Sequence, residues 1–449
     1  MSEPLKTEIE SFLENHSDLK AFDLQIPDMN GVFRGKRVNL EKLIKVSGDG
    51  LFLPASIFGM DVVGETMEET GLGISSGDSD RHCRIIPCTM KPVPWQSGLG
   101  QVMISMEEKD GSPFFGNPRE VLNLLLQKAK PHGFQWKAAF ELEFFVIESG
   151  RTAGEKPKLP AFLSGETSEG QLYSISSLEL CRNWLEEISG HCKAMEIPAD
   201  TSVAELAPGQ FEINLNHVPD PMLACEHALL LKQVIKGTLR KYGMNATFMA
   251  KPFPSHPGSG MHLHLSLYDK QGKNLLAGED SAKMSQALAG VLDFMPESMI
   301  FCAPHANSYH RFQENSYAPL NANWGKDNRT TALRIPSGNT ESTRIEYRLA
   351  GADANPYLVM AILIAGVLHG FEEKPDLPPE TIGNGYQDPS NSLPQSWESA
   401  LDCFQRGQKL SSWLGEDFSR LYSQLKLGEQ KHFRSVFTPH EYDWYLQSV

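Results

Sequence analysis

The sequence predicts an α+β protein with more than one domain. Its 449 residues exceed what a single hydrophobic core normally supports. Helix-like segments alternate with strand-like segments, but without the regular β-α-β order that predicts a parallel sheet. Four of the strand-like segments have one apolar face and one face rich in Glu, His and Arg. We therefore expect a sheet with one strongly ionisable face.

Composition limits the classes of partner. The formal net charge of −15 argues against nucleic acid or an anionic membrane as the main partner. The seven cysteines form no CxxC pair, so we predict reduced thiols and a cytoplasmic location. The N-terminus lacks the basic and apolar regions of a signal peptide. The longest apolar run, 357–368, is too short to span a membrane and predicts a buried helix that Asn355 and Pro356 begin.

Two domains are expected, at residues 1–110 and 111–449. The first region is typical of one amphipathic helix followed by short strands and turns. A polar stretch, "EEKDGSPFFGNP", marks the boundary. Beyond it Asn117, Pro118 and Glu120 suit a helix cap, first turn and third helical position. Long helices are predicted near 118–130, 176–190, 222–242, 281–296, 355–372 and 394–413.

The ionisable faces follow from strand periodicity, because side chains two residues apart lie on the same face. In "KAAFELEFFVIE", Glu141 and Glu143 share a face inside an apolar run. The segment "GQFEINLN" places Glu212 on one face with Asn214 and Asn216. Glu205 lies seven residues before Glu212. In the remaining two segments, "GSGMHLHLSLYD" and "TRIEYRLAG", the same-face residues are His262, His264 and Ser266, and Arg344, Glu346 and Arg348.

For any one strand, a half-solvated antiparallel sheet is the alternative interpretation. Together, however, buried charges of this kind are costly unless they are paired or bound to metal. If the faces converge, five glutamates and a histidine suit hard divalent ions such as Mg²⁺ or Mn²⁺. Six protein ligands exceed what one Mg²⁺ takes, so two or more ions per site are expected.

Three arginines, Arg311, Arg329 and Arg334, lie within 24 residues. Arginines beside paired metals indicate phosphoryl chemistry, in which both neutralise charge on phosphate oxygens. Surface salt bridges are the alternative for any single arginine. The chain has no GxxxxGK[ST] motif, which argues against a P-loop nucleotide fold.

Several motifs resemble the glutamine synthetase family: "FELEFF", "ELAPGQFEI", "KPFPSHPGSGMHLHLSL", "NSYHR", "NRTTALRIP" and "RIEYRLAGADANPYL". The resemblance runs from about residue 20 to the C-terminus. It implies an N-terminal β-grasp domain and a catalytic domain whose curved antiparallel sheet lines the active site. It also implies a dodecamer of two hexameric rings with active sites between subunits, and L-glutamate, ATP and an amine as substrates. No nucleic acid or membrane partner is expected.

The resemblance assigns roles position by position. The implied ligands of the first cation are Glu143, Glu205 and Glu212, and those of the second are Glu141, His262 and Glu346. The implied nucleotide-binding residues are His264, Ser266, Arg334 and Arg344. The implied glutamate-binding residues are Gly258, Arg311, Arg348 and Glu143. Arg329, which contacts the transferred phosphoryl group, is expected to be catalytic together with Glu205 and Arg311.

The sequence departs from the family pattern where ammonium binds. Enzymes that make glutamine have an aspartate at the position of Leu53, near Ser56, and a second acidic residue that aligns with Tyr317. These residues, with Tyr173, are predicted to line an amine pocket. Because two carboxylates are lost and apolar surface is gained, we predict an organic primary amine as acceptor and a γ-glutamylamide as product.

Two other functions stay open at this point: a glutamine synthetase that uses ammonium, and a non-catalytic scaffold of the same fold. A scaffold should have lost metal ligands or phosphate arginines, and none is lost. Tyr386 lies near the family's adenylylated tyrosine but lacks its acidic and proline context, so we expect no adenylylation.

Overall fold

The computed structural model describes residues 3–152, 154–164, 172–278, 281–387 and 392–449. The helices are α1 (Glu3–Asn15), α2 (Leu40–Asp49), α3 (Pro118–Ala129), α4 (Ile175–Leu180), α5 (Arg182–Ala194), α6 (Pro221–Lys241), α7 (Ala282–Cys302), α8 (Pro356–Glu373), α9 (Trp397–Arg406), α10 (Lys409–Leu414), α11 (Glu416–Ser435) and α12 (Pro439–Tyr445). The strands are β1 (Ala21–Pro27), β2 (Phe33–Asn39), β3 (Leu51–Pro54), β4 (Asp80–Ile85), β5 (Lys91–Pro92), β6 (Leu99–Met106), β7 (Gln135–Glu148), β8 (Ala199–Ala204), β9 (Gln210–Leu215), β10 (Met244–Thr247), β11 (Met261–Tyr268), β12 (Trp324–Lys326), β13 (Leu333–Ile335) and β14 (Ile345–Tyr347).

The first sheet lies in the N-terminal region and has the order β2-β1-β6-β4-β3, with β5 beside β6. Strands β1 and β2 form an antiparallel hairpin, whereas β1 and β6 are parallel neighbours. Helix α2 follows β2 directly, and the Asn39 side chain accepts a hydrogen bond from the Lys42 amide at its N-terminus. A hairpin, a helix and a parallel pair of first and last strands are consistent with the predicted β-grasp.

The second sheet contains the ionisable faces. Its order is β12-β13-β14-β11-β7-β9-β8, and β10 pairs with β7. The pairs β14-β11, β11-β7, β7-β9 and β9-β8 are antiparallel, so the sheet is mostly antiparallel as predicted. The sheet is strongly curved and nearly closed.

Three of the predicted long helices are confirmed within two residues: α3, α6 and α8. Asn117 and Asn355 cap α3 and α8 through their side-chain oxygens, and a proline follows each cap. Glu120 does not close a capping box. Its carboxylate instead accepts hydrogen bonds from Ser105 Oγ and Asn123 Nδ2 at 3.0 and 3.1 Å.

Two predicted helices are interrupted. The segment near 176–190 divides at Cys181 into α4 and α5, and the segment near 394–413 divides at Gly407 into α9 and α10. Gly407 has an extended backbone with ψ 139°. A Cβ atom there would lie 2.2 Å from the Glu297 side chain, so glycine permits this close approach.

Other helices extend beyond the prediction. Helix α7 continues through Pro296 to Cys302, because its contacts with α8 outweigh the hydrogen bond that proline removes. Helix α2 makes a second helix in the N-terminal region, where one was expected. Helices α11 and α12 were not predicted, and α11 buries polar residues such as Lys426 and Glu429 that interrupt the apolar pattern.

Helix α8 is the centre of the core. It is long and apolar enough to cross a membrane, but 89% of its most apolar 18-residue window is buried inside the protein. Its N-cap residue also joins the two sheet regions, since Asn355 Nδ2 donates to the carbonyls of Asp28 and Met29. Asn30 in the same N-terminal turn donates to Glu429 Oε1 at 3.0 Å. The N-terminal region thus packs on the larger one, and a domain boundary at residue 110 stays a prediction.

Candidate active site

Strand register places the ionisable residues side by side across the second sheet. His262 on β11 is the direct partner of Glu141 on β7, and Glu143 on β7 is the partner of Glu212 on β9. On the other side of β11, His264 is paired with Glu346 of β14. Directly paired residues share a face and lie about 5 Å apart at Cβ. The faces that sequence periodicity predicted therefore form one continuous polar surface.

Glu141 is held by two histidines. Its Oε2 lies 3.3 Å from His262 Nδ1, and its Oε1 lies 3.0 Å from His264 Nε2. Burial by itself would raise the pKa of Glu141, but hydrogen bonds and positive charge from the two imidazoles outweigh burial and lower it. The two same-face carboxylates of β7 are therefore in different environments, because Glu143 instead accepts the Gly260 amide at 2.9 Å.

Three other carboxylates crowd one another. Burial, then the charge of Glu143, raises the pKa of Glu205 to about 7, although the Arg329 guanidinium acts in the opposite direction. Burial raises the pKa of Glu212 well above its usual range, and the charges of Glu141, Glu143 and Glu205 add to it. This part of the site holds more negative charge than the described protein groups neutralise.

Glu346 is the opposite case. Arg334 Nη1 donates to its Oε2 at 2.8 Å, and Arg348 Nη1 donates to its Oε1. Burial would raise the pKa of Glu346, but the charges of Arg348, His262 and His264 lower it to about 2. Glu346 is thus a fully ionised, nearly inaccessible carboxylate between two arginines.

The donor set fits divalent cations. Among the residues that the structure describes, two groups have all their ligand atoms within 4.8 Å of one another: Glu141, His264 and Glu346; and Glu141, Glu212 and His262. Carboxylates with one imidazole suit Mg²⁺ or Mn²⁺, and the excess charge around Glu205 and Glu212 is the kind that a cation relieves. This grouping differs from the predicted assignment of ligands to two cations. Glu141 belongs to both groups, and His264, which was predicted to bind the nucleotide, belongs to one of them.

The turn before β11 brings backbone against the site. A Cβ atom on Gly258 would lie 2.6 Å from the Ala250 carbonyl oxygen and 2.7 Å from Arg311 Cγ. A Cβ atom on Gly260 would lie 3.2 to 3.3 Å from Arg311 Nη2, Glu143 Oε1 and His262 Nε2. Glycine at these positions therefore lets the turn approach Arg311 closely.

Arg311 is buried and fixed by backbone. Its Nη1 donates to the Leu349 carbonyl at 2.7 Å and its Nη2 to the Arg348 carbonyl at 3.1 Å. Burial lowers the pKa of Arg311 from its usual value. The guanidinium thus has a fixed orientation next to the Gly258 turn. Gln210 also contacts this turn, since its Nε2 donates to the Gly258 carbonyl at 3.0 Å.

The predicted nucleotide-binding residues lie along one end of the polar face. Arg344 Nε donates to His264 Nδ1 at 3.0 Å, and Ser266 Oγ donates to the Thr343 carbonyl at 3.2 Å. Arg334 lies beside them on β13, bound to Glu346 and to Asp327. His217, which sequence reasoning missed, extends this group, because its ring centroid lies 5.8 Å from that of His264.

Arg329 and Tyr317 lie on exposed loops next to the sheet. Arg329 follows β12 and is exposed to solvent, within electrostatic range of Glu205. Tyr317 is exposed and has a positive φ of 59°. Tyr386 lies beneath this loop, close to Ser316 and the Tyr317 backbone, and its hydroxyl is buried.

The predicted amine-pocket residues do not share one surface in this chain. Tyr173 is exposed, like Tyr317, and has a positive φ of 63°. Leu53 and Ser56 are instead buried in the N-terminal region, and the Leu53 side chain is 3% exposed. Within this chain Leu53 offers no apolar surface to a substrate, contrary to our prediction, because strand alternation turns its side chain inward. The exposed apolar side chain on β3 is that of Phe52, 56% exposed.

Sequence reasoning did not assign Gln210, Gly260 or His217 to the site. Gln210 and Gly260 each lie two residues from an assigned position, Glu212 and His262, so strand periodicity could have found them. His217 follows the end of β9, where periodicity gives no signal.

Comparison with known proteins agrees with this geometry. A family model described as the glutamine synthetase catalytic domain matches residues 115–445. The chain is 40% identical to γ-glutamylputrescine synthetase PuuA of Escherichia coli K12, over 98% of this chain and 95% of that protein. It is 31% identical to a glutamate–isopropylamine ligase from a Pseudomonas species, over the full length of both. A solved structure of a GmaS–ADP complex superposes with a TM-score of 0.85 at 25% identity, covering 98% of this chain and 99% of that one.

Proposed function

The chain belongs to the glutamine synthetase family, and from this premise we propose that it is an ATP-dependent ligase that joins the γ-carboxylate of L-glutamate to an organic primary amine. The observation that carries the proposal is the single polar face, on which register joins Glu141, Glu143, Glu212, His262 and Glu346. Three relatives favour an organic amine over ammonium as the acceptor, because they are named γ-glutamylputrescine synthetase, glutamate–isopropylamine ligase and γ-glutamylethanolamide synthetase.

The first step activates glutamate. An oxygen of its γ-carboxylate attacks the γ-phosphorus of ATP, the bond to the β,γ-bridging oxygen breaks, and ADP leaves. Activation is needed because an unmodified carboxylate has no acceptable leaving group. Arg311, buried and fixed beside the Gly258 turn, and Arg348, buried and bonded to Glu346, are proposed to hold the glutamate carboxylates. Arg329 is proposed to neutralise charge on the transferred phosphoryl group.

The second step forms the amide. The neutral amine nitrogen attacks the carbonyl carbon of the acyl phosphate, the bond from that carbon to the phosphoryl oxygen breaks, and phosphate leaves. The amine nitrogen gives up one proton to a base. Glu205, half-buried and within electrostatic range of Arg329, is our candidate for that base.

Divalent cations, Mg²⁺ or Mn²⁺, when bound, would supply Lewis-acid stabilisation of the phosphate oxygens. The residues proposed to hold them are Glu141, Glu143, Glu205, Glu212, His262 and Glu346. The nucleotide is proposed to lie along His264, Ser266, Arg334 and Arg344, with Arg334 shared between Glu346 and the phosphates.

We also propose a dodecamer of two hexameric rings with active sites between subunits, and a cytoplasmic location. An active site shared between subunits is supported by Leu53 and Ser56 of the N-terminal region, because these residues match family positions at the amine site. A cytoplasmic location is supported by the seven cysteines, all of which are free in the structure.

The test is a panel of acceptors. The protein is incubated with glutamate, ATP and Mg²⁺, and phosphate release is followed with putrescine, isopropylamine, ethanolamine and ammonium. We expect at least one organic amine to exceed ammonium in kcat/KM, with the γ-glutamylamide confirmed by mass spectrometry. A higher kcat/KM for ammonium than for every amine would favour a glutamine synthetase. Isothermal titration that detects no metal-dependent ATP binding would favour a scaffold.

A further inference from the structure

Asn214 occupies a place in the acidic face that none of the roles above uses. It lies on β9 two residues after Glu212, and its direct partner on β7 is Glu141. Side chains two residues apart, and side chains directly paired across strands, share a face. The Asn214 amide therefore borders two members of the cation group formed by Glu141, Glu212 and His262.

The two ends of the Asn214 amide are in different environments. Its Oδ1 atom is buried and has no hydrogen-bond partner in the part of the chain that the structure describes. The amide also interacts with the Glu212 carboxylate, which only the NH₂ end can do favourably. On the other side of Asn214, the Thr201 hydroxyl donates to Asp200 Oδ1 at 2.9 Å and so does not satisfy the amide oxygen.

Burying an oxygen without a hydrogen-bond partner is energetically costly, so such an atom indicates a missing partner. Hard cations bind neutral carbonyl oxygens of Asn as well as carboxylates. At this place a neutral ligand has an advantage, because Glu143, Glu205 and Glu212 already repel one another. Another carboxylate would add negative charge, whereas an amide adds an oxygen ligand without adding charge.

We propose that Asn214 Oδ1 is an oxygen ligand of the divalent cation held by Glu141, Glu212 and His262. The proposal rests on the cation part of the proposed function and adds to it one residue that the family resemblance does not assign.

The experiment measures Mn²⁺ binding to the metal-stripped full-length protein, without nucleotide, by the electron paramagnetic resonance signal of free Mn²⁺. Asn214→Ala removes the oxygen, Asn214→Asp keeps one, and Asn216→Ala is the matched control. Asn216 lies two residues further along the chain, just after β9, and is exposed to solvent. Circular dichroism establishes that each variant is folded, and Asn214→Ser replaces the alanine variant if that one is not.

We expect Asn214→Ala to weaken Mn²⁺ binding at one class of sites at least 10-fold, within the range that loss of metal-site partners produces. Asn214→Asp should bind Mn²⁺ at least as tightly as the wild type, and Asn216→Ala should be unchanged. Wild-type affinity in Asn214→Ala, or equal weakening in the alanine and aspartate variants, would overturn the assignment of Asn214 alone. Absence of Mn²⁺ binding by the wild type would instead refute the cation part of the proposed function.

Discussion

Neutralising Glu205 should stabilise the metal-free protein. In the folded state burial and the neighbouring Glu143 raise the pKa of Glu205 from 4.5 to about 7. A carboxyl with a raised pKa holds its proton more tightly in the folded than in the unfolded protein. Its contribution to stability is therefore complete below about pH 4.5 and is lost as the pH rises to about 7. At pH 8 the ionised Glu205 destabilises the fold, and Glu205→Gln removes that charge.

The magnitude follows from the shift. A difference of 4.5 against about 7 corresponds at most to about 3 kcal/mol, at ~1.36 kcal/mol per pKa unit. Glu205 is partly accessible to solvent, which screens the repulsion, so a gain on the order of 1–3 kcal/mol is expected. With an unfolding entropy of ~2.1 cal/mol/K per residue, this gain raises Tm by about 1–3 °C in a chain of 449 residues.

The assay is differential scanning calorimetry of wild type and Glu205→Gln in EDTA at pH 5.5 and pH 8.0. The variant should melt higher than the wild type at pH 8.0, and the difference in Tm should be smaller at pH 5.5, where Glu205 is still mostly protonated in the folded wild type. Glu148→Gln, at the exposed end of β7, is the control and should change Tm at neither pH. Added Mn²⁺ should stabilise the wild type more than Glu205→Gln. The reasoning is refuted if Glu205→Gln melts no higher than the wild type at pH 8.0.

Three further predictions concern the turn, the phosphoryl arginine and Tyr386. Gly260→Ala should raise KM for glutamate and weaken Mn²⁺ binding, because the added Cβ would lie 3.2 to 3.3 Å from three site residues. Gly190→Ala is the control and should leave both quantities unchanged, because the space around its Cβ is open. Arg329→Ala should leave Tm unchanged, because Arg329 is exposed to solvent. The same variant should lower kcat, measured as the rate of ADP formation, about 10²-fold or more. A kcat within about 3-fold of the wild-type value would contradict the proposed role of Arg329. Mass spectrometry of the protein from its native host should find no nucleotide on Tyr386, whose hydroxyl is buried.

The sequence predicted which residues share a face, but not which of them touch. Periodicity placed Glu141 with Glu143 and His262 with His264, because alternation is a local property of a strand. The contact between Glu141 and His264 depends on the register of β7 against β11, which involves residues about 120 positions apart and is set by the whole core. The inward orientation of Leu53 escaped prediction for the same reason, since its neighbours are distant in sequence.

The helices show a second limit. Helix α8 was predicted well because it is apolar on every side, whereas α11 was missed because its buried face includes Lys426 and Glu429. Those two side chains satisfy each other at 2.8 Å and bind Asn30 of the N-terminal region. Polar side chains of this kind can be buried only when their hydrogen-bond partners are in place. The hydrophobicity pattern of one segment gives no information about partners that are distant in sequence.

The charge distribution of the site explains where a cation is needed. Glu346 and Glu141 are compensated by protein groups, two arginines for the first and two histidines for the second, and the pKa of each is lowered. In the part of the chain that the structure describes, no arginine or histidine is hydrogen-bonded to Glu205 or Glu212, and the pKa of each is raised. A cation placed among Glu143, Glu205 and Glu212 would thus gain the most, because it replaces repulsion with attraction. Cation binding there should release protons below pH 7, so Mn²⁺ affinity is expected to rise between pH 6 and pH 8, and a flat profile over that range would contradict this account.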